Sequence, residues 1–206
     1  MKVLIVICMV LISVAASAQE KKPAKTIQQK DGKTTSNRGE VAPDVKKDIG
    51  CISITNANNK MIPPDLYKSA KDCIKVEKFE NASDLFSLAG LYASFDAARI
   101  SDKSAGQAKA VLIKNTFDGL SDETRHRFSA VLTERLRKNK VALQDLCSNV
   151  AKIGYPTYHP DYMISQGNKT VAGSQNKAAL SENFDPVATW NKLFETSLHC
   201  PPTAAP

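Results

Sequence analysis

The chain has 206 residues, 42% of them hydrophobic and 24% charged, with a formal charge of +7. That length carries one domain with a real core plus flanking segments, and no stretch after the N-terminus approaches the roughly 18 consecutive apolar residues of a membrane span. With Lys2 set aside in a leader the charge is +6, of which +3 lies in residues 19–50 and +3 in the remaining 156, an excess too dilute to point to nucleic acid and suited at most to weak attraction by an anionic surface or an acidic protein.

Residues 1–18, MKVLIVICMVLISVAASA, carry one Lys, an apolar run from Val3 to Ile12 and a small-residue end at Ala16-Ser17-Ala18. This is the pattern of a secretory signal peptide, with Gln19 as the expected mature start and export to the periplasm or the exterior as the expected fate. Cys8 leaves with the leader, so Cys51, Cys73, Cys147 and Cys200 remain. An even count in an exported chain reads as two disulfides. Three connectivities are possible; the favoured one pairs Cys51 with Cys73, before the first helix pair, and Cys147 with Cys200, at the C-terminal end.

Residues 19–50 are polar and Lys-rich, with eight Lys/Arg against five Asp/Glu and no periodic apolar face, and are read as a flexible basic arm. The domain follows over 51–200, and 201–206 form a Pro-rich tail. Cys51 to Thr55 alternates like a short strand without a partner, which predicts an extended segment lying on the helices, and Asn56 to Asn59 reads as a turn. Pro63-Pro64-Asp65 opens a helix that Asp65 is expected to cap.

Residues 64–100 hold the densest apolar patterning. Leu85, Leu88, Ala89, Tyr92 and Phe95, widened by Ala82 and Phe86, recur at helical spacing, and Leu66, Ala70, Cys73 and Ile74 offer the opposing face. The spacing predicts a helical hairpin. Phe79, Ala82, Phe86 and Ala89, with Ala70 before them, stand at intervals that resemble one tetratricopeptide or Sel1-like helix pair over residues 65–95, without that family's Trp and closing Pro and without a second copy at its period. The resemblance implies close helix packing and, from what such repeats do, protein binding.

Three further helices are predicted before the next break. One runs from Ser104 to Phe117, with Ala105, Ala108, Val111, Leu112 and Thr116 inside, and stops at Asp118-Gly119. Ser121 caps the next, residues 122–138, which turns Thr124, Phe128, Val131, Leu132 and Leu136 inward. A third, Val141 to Ile153, buries Leu143, Leu146, Cys147 and Val150 and ends at Gly154 and Pro156. Residues 154–184 read as a long loop with a helical turn after Pro160. Asp185 and Pro186 then start a last helix whose apolar side is Val187, Trp190, Leu193, Phe194 and Leu198. The fold class expected is all-α: an irregular bundle of about five or six helices stapled by two disulfides.

The loop 154–163, GYPTYHPDYM, is the candidate binding surface. Tyr155, Tyr158, His159, Asp161 and Tyr162, stiffened by two prolines, have the amphipathic composition of contact surfaces; the alternative is that the tyrosines cover the core. His159 and Asp161 supply only two of the donors a metal would need, and His126 and His199 are not spaced to complete them, so no metal is expected. No G-x-S-x-G, H-E-x-x-H or Gly-rich phosphate loop occurs, and no cofactor or catalytic residue is assigned. Carboxylates such as Asp96, Asp102, Glu77 and Glu80 are read as solvated helix faces and caps. Arg125, Arg127, Arg135 and Arg137 do not form one strip with Lys138 and Lys140, because Arg125 and Arg127 diverge by about 200° on a helix.

Three functions fit these readings. The first is an exported, non-catalytic domain that binds another envelope or secreted protein, with an immunity or inhibitor protein against a toxin or lytic enzyme as a subtype. The second is an envelope hydrolase with its site around residues 154–163. The third is a protein held to an envelope polymer by the basic arm.

Overall fold

The computed structural model describes residues 48–167 and 180–201. The leader expected over 1–18, nearly all of the arm, the loop from 168 to 179, the tail after 201 and the side chain of Ala105 lie outside the described residues. Seven α-helices are present among them: α1 (Pro63–Lys75), α2 (Phe79–Arg99), α3 (Gln107–Phe117), α4 (Asp122–Thr133), α5 (Lys140–Ile153), α6 (Asp161–Gly167) and α7 (Pro186–Leu198). Short 3-10 turns occupy Ile54–Asn56 and Lys103–Gly106, and a π turn spans Glu134–Lys138. The fold is all-helical, and α6 is the helical turn expected after Pro160.

Local chemistry accounts for most helix ends. Ser121 Oγ accepts the Thr124 N–H at 3.2 Å, and Asp185 Oδ1 accepts the Ala188 N–H at 2.9 Å with Pro186 in the first turn, each satisfying an amide that the helix leaves orphaned. Asp65 does not cap α1. The helix begins two residues earlier, after Ile62, because Pro63 and Pro64 at its first positions have no N–H to satisfy, and Asp65 lies within the first turn. Glycines at φ +77 end α5 at Gly154 and follow α3 at Gly119. Two helices end instead on non-glycine left-handed residues, Glu77 after α1 and His199 after α7. The first turn closes by the long backbone bond of such caps, Lys78 N–H donating to Cys73 O at 2.9 Å, and after α7 Cys200 N–H reaches Phe194 O, six residues back, at 3.3 Å.

The hairpin expected over residues 64–100 forms, but α2 is buried on more than one face. Besides the predicted stripe, Ser83, Asp84, Ser87, Leu91, Ala93, Asp96 and Arg99 are buried. A helix covered all round is the axis of its domain, and α1, α3, α4 and α7 all pack on this one. Ala70, Ala82 and Ala89 are fully buried where α1 and α2 meet. Tyr67, Phe86, Phe117 and Phe128 cluster towards the start of α2, with ring centroids 5.2–5.5 Å apart. Towards its end Tyr92 and Phe95 meet Trp190, at 6.0 and 6.2 Å. Ala93, Ile100, Ala108, Met163 and Ile164 form a smaller cluster under α6. Val111 and Val187, expected inside, are 43% and 42% exposed.

The helix expected to run to residue 138 changes pitch. Asn139 N–H bonds to Glu134 O at 2.8 Å, five residues back, and this wider turn carries Arg135 onto Asp84 of α2. The guanidinium grips both carboxylate oxygens, with Nε to Oδ1 at 3.0 Å and Nη2 to both oxygens at 2.9 Å. Burial pushes the Asp84 pKa up, and Arg135 opposes it. Arg127 pairs with Glu77 at 2.8 Å and Arg125 bonds to Leu120 O, so the arginines of this region go to separate partners. Lys71 of α1 reaches the end of α3, donating to Asp118 O at 2.7 Å.

Both disulfides take the favoured connectivity. Cys51–Cys73 joins α1 to the extended segment before it, which also rests on Ser69: Ile52 N–H donates to Ser69 Oγ at 3.3 Å and Ser69 Oγ to Gly50 O at 2.5 Å. Cys147–Cys200 joins α5 to the end of α7. The bridges close loops of 22 and 53 residues, for which the chain-entropy model gives about 3 and about 4 kcal/mol. Peptide mapping without reduction should recover these two pairs, and urea unfolding should find Cys147→Ser/Cys200→Ser less stable than Cys51→Ser/Cys73→Ser by about 1 kcal/mol.

Candidate functional site

The loop after α5 is fastened to the body by its backbone and by two of its tyrosines. Gly154 O accepts the Tyr92 O–H at 2.8 Å, and Thr157 N–H donates to Asn59 O at 3.0 Å. Pro156 and Pro160 are buried, and Pro160 O accepts the Met163 and Ile164 N–H groups that open α6. The backbone therefore leaves α5, crosses the end of α2 and re-enters a helix.

At the centre of that crossing is Asp96, whose side chain is 0% exposed. Its Oδ2 accepts the Tyr158 O–H at 2.9 Å and the Tyr162 O–H at 2.7 Å, and its Oδ1 accepts Arg99 Nε at 2.9 Å. Arg99 Nη2 lies 2.7 Å from the same Oδ1 as an ion pair, off the direction of a hydrogen bond. The guanidinium carbon stands 5.6 Å from the Phe95 ring centre and 5.3 Å from that of Tyr158, a favourable cation–π placement. Every partner donates, which is the arrangement of a carboxylate. Burial raises the Asp96 pKa, with Arg99 and the two phenols acting against it. The phenols are driven well above the ordinary tyrosine range, first by burial and then by the adjacent carboxylate.

The reading of Asp96 as a solvated helix face is thus corrected. It stands four residues after Tyr92 and three before Arg99, inside the apolar stripe, and that register is the signal that places it in the core. The loop residues divide into two sets. Tyr158 and Tyr162 turn inward and hold Asp96. Tyr155, stacked on Phe95 at 6.0 Å, is 37% exposed, and the side chains of His159 and Asp161 are 54% and 85% exposed. His159 Nδ1 and Asp161 Oδ1 are 2.8 Å apart, and among the described residues no third His, Cys, Asp or Glu joins them in a metal-binding group.

A groove of about 700 Å³, which the sequence did not single out, lies apart from this loop, lined by Glu80, His126, Glu134, Arg135 and Lys138. Its charges largely answer one another: Arg135 is held by Asp84, and Lys138 lies 3.8 Å from Glu134. The loop, in contrast, presents a rigid outer edge backed by a buried polar centre.

Two outcomes follow for this centre. Removing the charge in Asp96→Asn leaves Arg99 buried without its counter-ion and should cost about 3–5 kcal/mol, while Tyr158→Phe or Tyr162→Phe, each losing one bond to a charged acceptor, should cost about 2 kcal/mol; urea unfolding measures both. Tyr67, Tyr92, Tyr158 and Tyr162 all keep their protons above the ordinary value of 10.0 in the fold. Above about pH 10 the unfolded chain releases protons that the native state retains, so stability falls by up to about 1.4 kcal/mol per tyrosine per pH unit. Tyrosinate absorbance from these four should rise together with loss of helical circular dichroism.

Compared with protein-family models, with curated proteins and with solved structures, the chain matches none.

Proposed function

We propose that this chain is an exported, non-catalytic domain that binds another envelope or secreted protein, with an immunity or inhibitor role against a toxin or lytic enzyme as its most specific form. Export to the periplasm or the exterior rests on the leader pattern at 1–18 and agrees with two disulfides and with the finding that no helix among the described residues is long and apolar enough to cross a membrane. The single observation that carries the reading is the division of the loop. Its inward tyrosines are committed to Asp96, and its outward side chains, Tyr155, His159 and Asp161, stand on a backbone fixed by Asn59, Gly154 and Pro160. A surface already held in one shape loses little conformational entropy when a partner lands on it.

A hydrolase site at 154–163 would use His159, Asp161 and Tyr162 together. Here the Tyr162 hydroxyl donates to Asp96 while His159 and Asp161 face solvent, so the three do not converge on one cleft.

The test is crosslinking capture from an envelope extract with the mature, oxidised protein. The wild type should retain a partner that the double variant Tyr155→Ala/His159→Ala loses, both proteins keeping native circular dichroism. An equal catch from both removes the loop from the binding surface. Tyr158 and Tyr162 are unsuitable for this comparison, because their loss unseats Asp96.

A further inference from the structure

The aromatic side chains around Phe95 continue outward into a patch that is left exposed among the described residues. Phe95 is 1% exposed and meets Tyr155 at 6.0 Å, Phe184 at 5.1 Å and Trp190 at 6.2 Å, from three separate parts of the chain. Leu180 is brought to the same end of α2 by its bridge to Ile100 and by the Ser181 N–H bond to Arg99 O at 2.8 Å. Val187 stands one turn before Trp190 on α7. Of six large apolar side chains exposed among the described residues, Tyr155, Leu180 and Val187, at 37–42% exposure, stand on the segments that meet at this end of α2, while Val76, Val111 and Val141 stand on other elements. The patch is therefore a cluster and not the scatter normal for a protein surface.

Its rim is acidic. The segment 180–188, LSENFDPVA, holds Glu182 and Asp185 and no Lys or Arg, in a chain whose net charge is +7. Both acids are exposed; Asp185 caps α7. An apolar centre bordered by carboxylates selects for a partner that offers apolar side chains beside cations, and the half-exposed Tyr155 ring adds a cation–π surface for the same groups.

Resting on the protein-binding reading above, we propose that the partner docks on Tyr155, Leu180, Phe184 and Val187 through a segment rich in Lys or Arg and apolar residues, with Glu182 and Asp185 pairing with its cations.

The experiment titrates the oxidised full chain with two short synthetic peptides, one alternating Lys with Leu and the other Glu with Leu. Trp190, the only tryptophan, serves as the fluorescence reporter, and amide shifts locate the contact. The Lys peptide should bind, shift Tyr155, Leu180 and Val187, and weaken with added salt. Glu182→Lys should weaken it about tenfold, and Val187→Ser by a similar factor. Equal binding of both peptides, no binding, or shifts confined to the groove at Lys138 would overturn the proposal. So would a concentration-dependent rise in mass abolished by Glu182→Lys, which would assign the patch to a second copy of the chain. A partner captured by crosslinking but indifferent to Glu182→Lys and Val187→Ser would overturn this proposal and leave the protein-binding reading standing. Failure of the wild type itself to capture any partner would remove that reading.

Discussion

The arrangement of this domain depends on the requirement that a carboxylate taken out of water be surrounded by donors. Asp96 meets it with two phenols from the loop and α6 and a guanidinium from its own helix. Because the acid lies on α2 and two of its donors come from residues more than 60 positions later in the chain, the bonds form only when the crossing after α5 has reached its place. Apolar burial alone would accept several paths for that crossing; the acceptor geometry at Asp96 accepts one. Such a centre adds little net stability over a well-packed apolar one, and its contribution is to define a single arrangement.

The same logic repeats nearer the start of α2. Asp84 is gripped by Arg135 from the π turn, and an aromatic cluster of Tyr67, Phe86, Phe117 and Phe128 packs beside it. One helix thus carries two buried acids, one fixing the turn between α4 and α5 and the other fixing the segment after α5. The core of α2 supplies the hydrophobic driving force, and the two acids set where the flanking elements must lie on it. Tyr67, whose hydroxyl is buried without a hydrogen-bond partner among the described residues, packs edge-on against Phe86 at 5.2 Å and belongs to the apolar side of this arrangement.

Much of this was legible in the sequence because it is local. Ser121, Asp185 with Pro186, and Gly154 mark helix ends through the backbone groups beside them, and the 3.6-residue recurrence from Leu85 to Phe95 announced the hairpin. The count of cysteines gave two disulfides, and position favoured one of three possible pairings. What escaped was decided by partners distant in the chain. Asp96 and Asp84 are charged residues, and only their place within the apolar stripe hinted at burial. The tyrosines of 154–163 could be assigned to a surface or to the core from composition alone; the structure divides them, since Tyr158 and Tyr162 find an acceptor and Tyr155 finds only the face of Phe95. Asp65 was misplaced as a cap because either proline before it can occupy the first turn of a helix. The patch around Leu180 and Val187 depends on the return of the chain to Arg99 and Ile100, which no periodicity encodes.

The two bridges also determine how the domain would carry a mechanical load. Cys51 precedes α1 and Cys200 follows α7, and they are joined to Cys73 in α1 and Cys147 in α5. Tension applied through the flanking segments passes across the sulfurs directly into those two helices, so residues 52–72 and 148–199 are shielded from extension while the bonds are intact. Only the span between Cys73 and Cys147 can lengthen under force. The loop after α5 belongs to the shielded part, whereas Tyr92, Phe95 and Asp96, which anchor it, lie in the span that lengthens, so a molecule pulled from both termini keeps the ends of the loop together and loses the contacts that shape it.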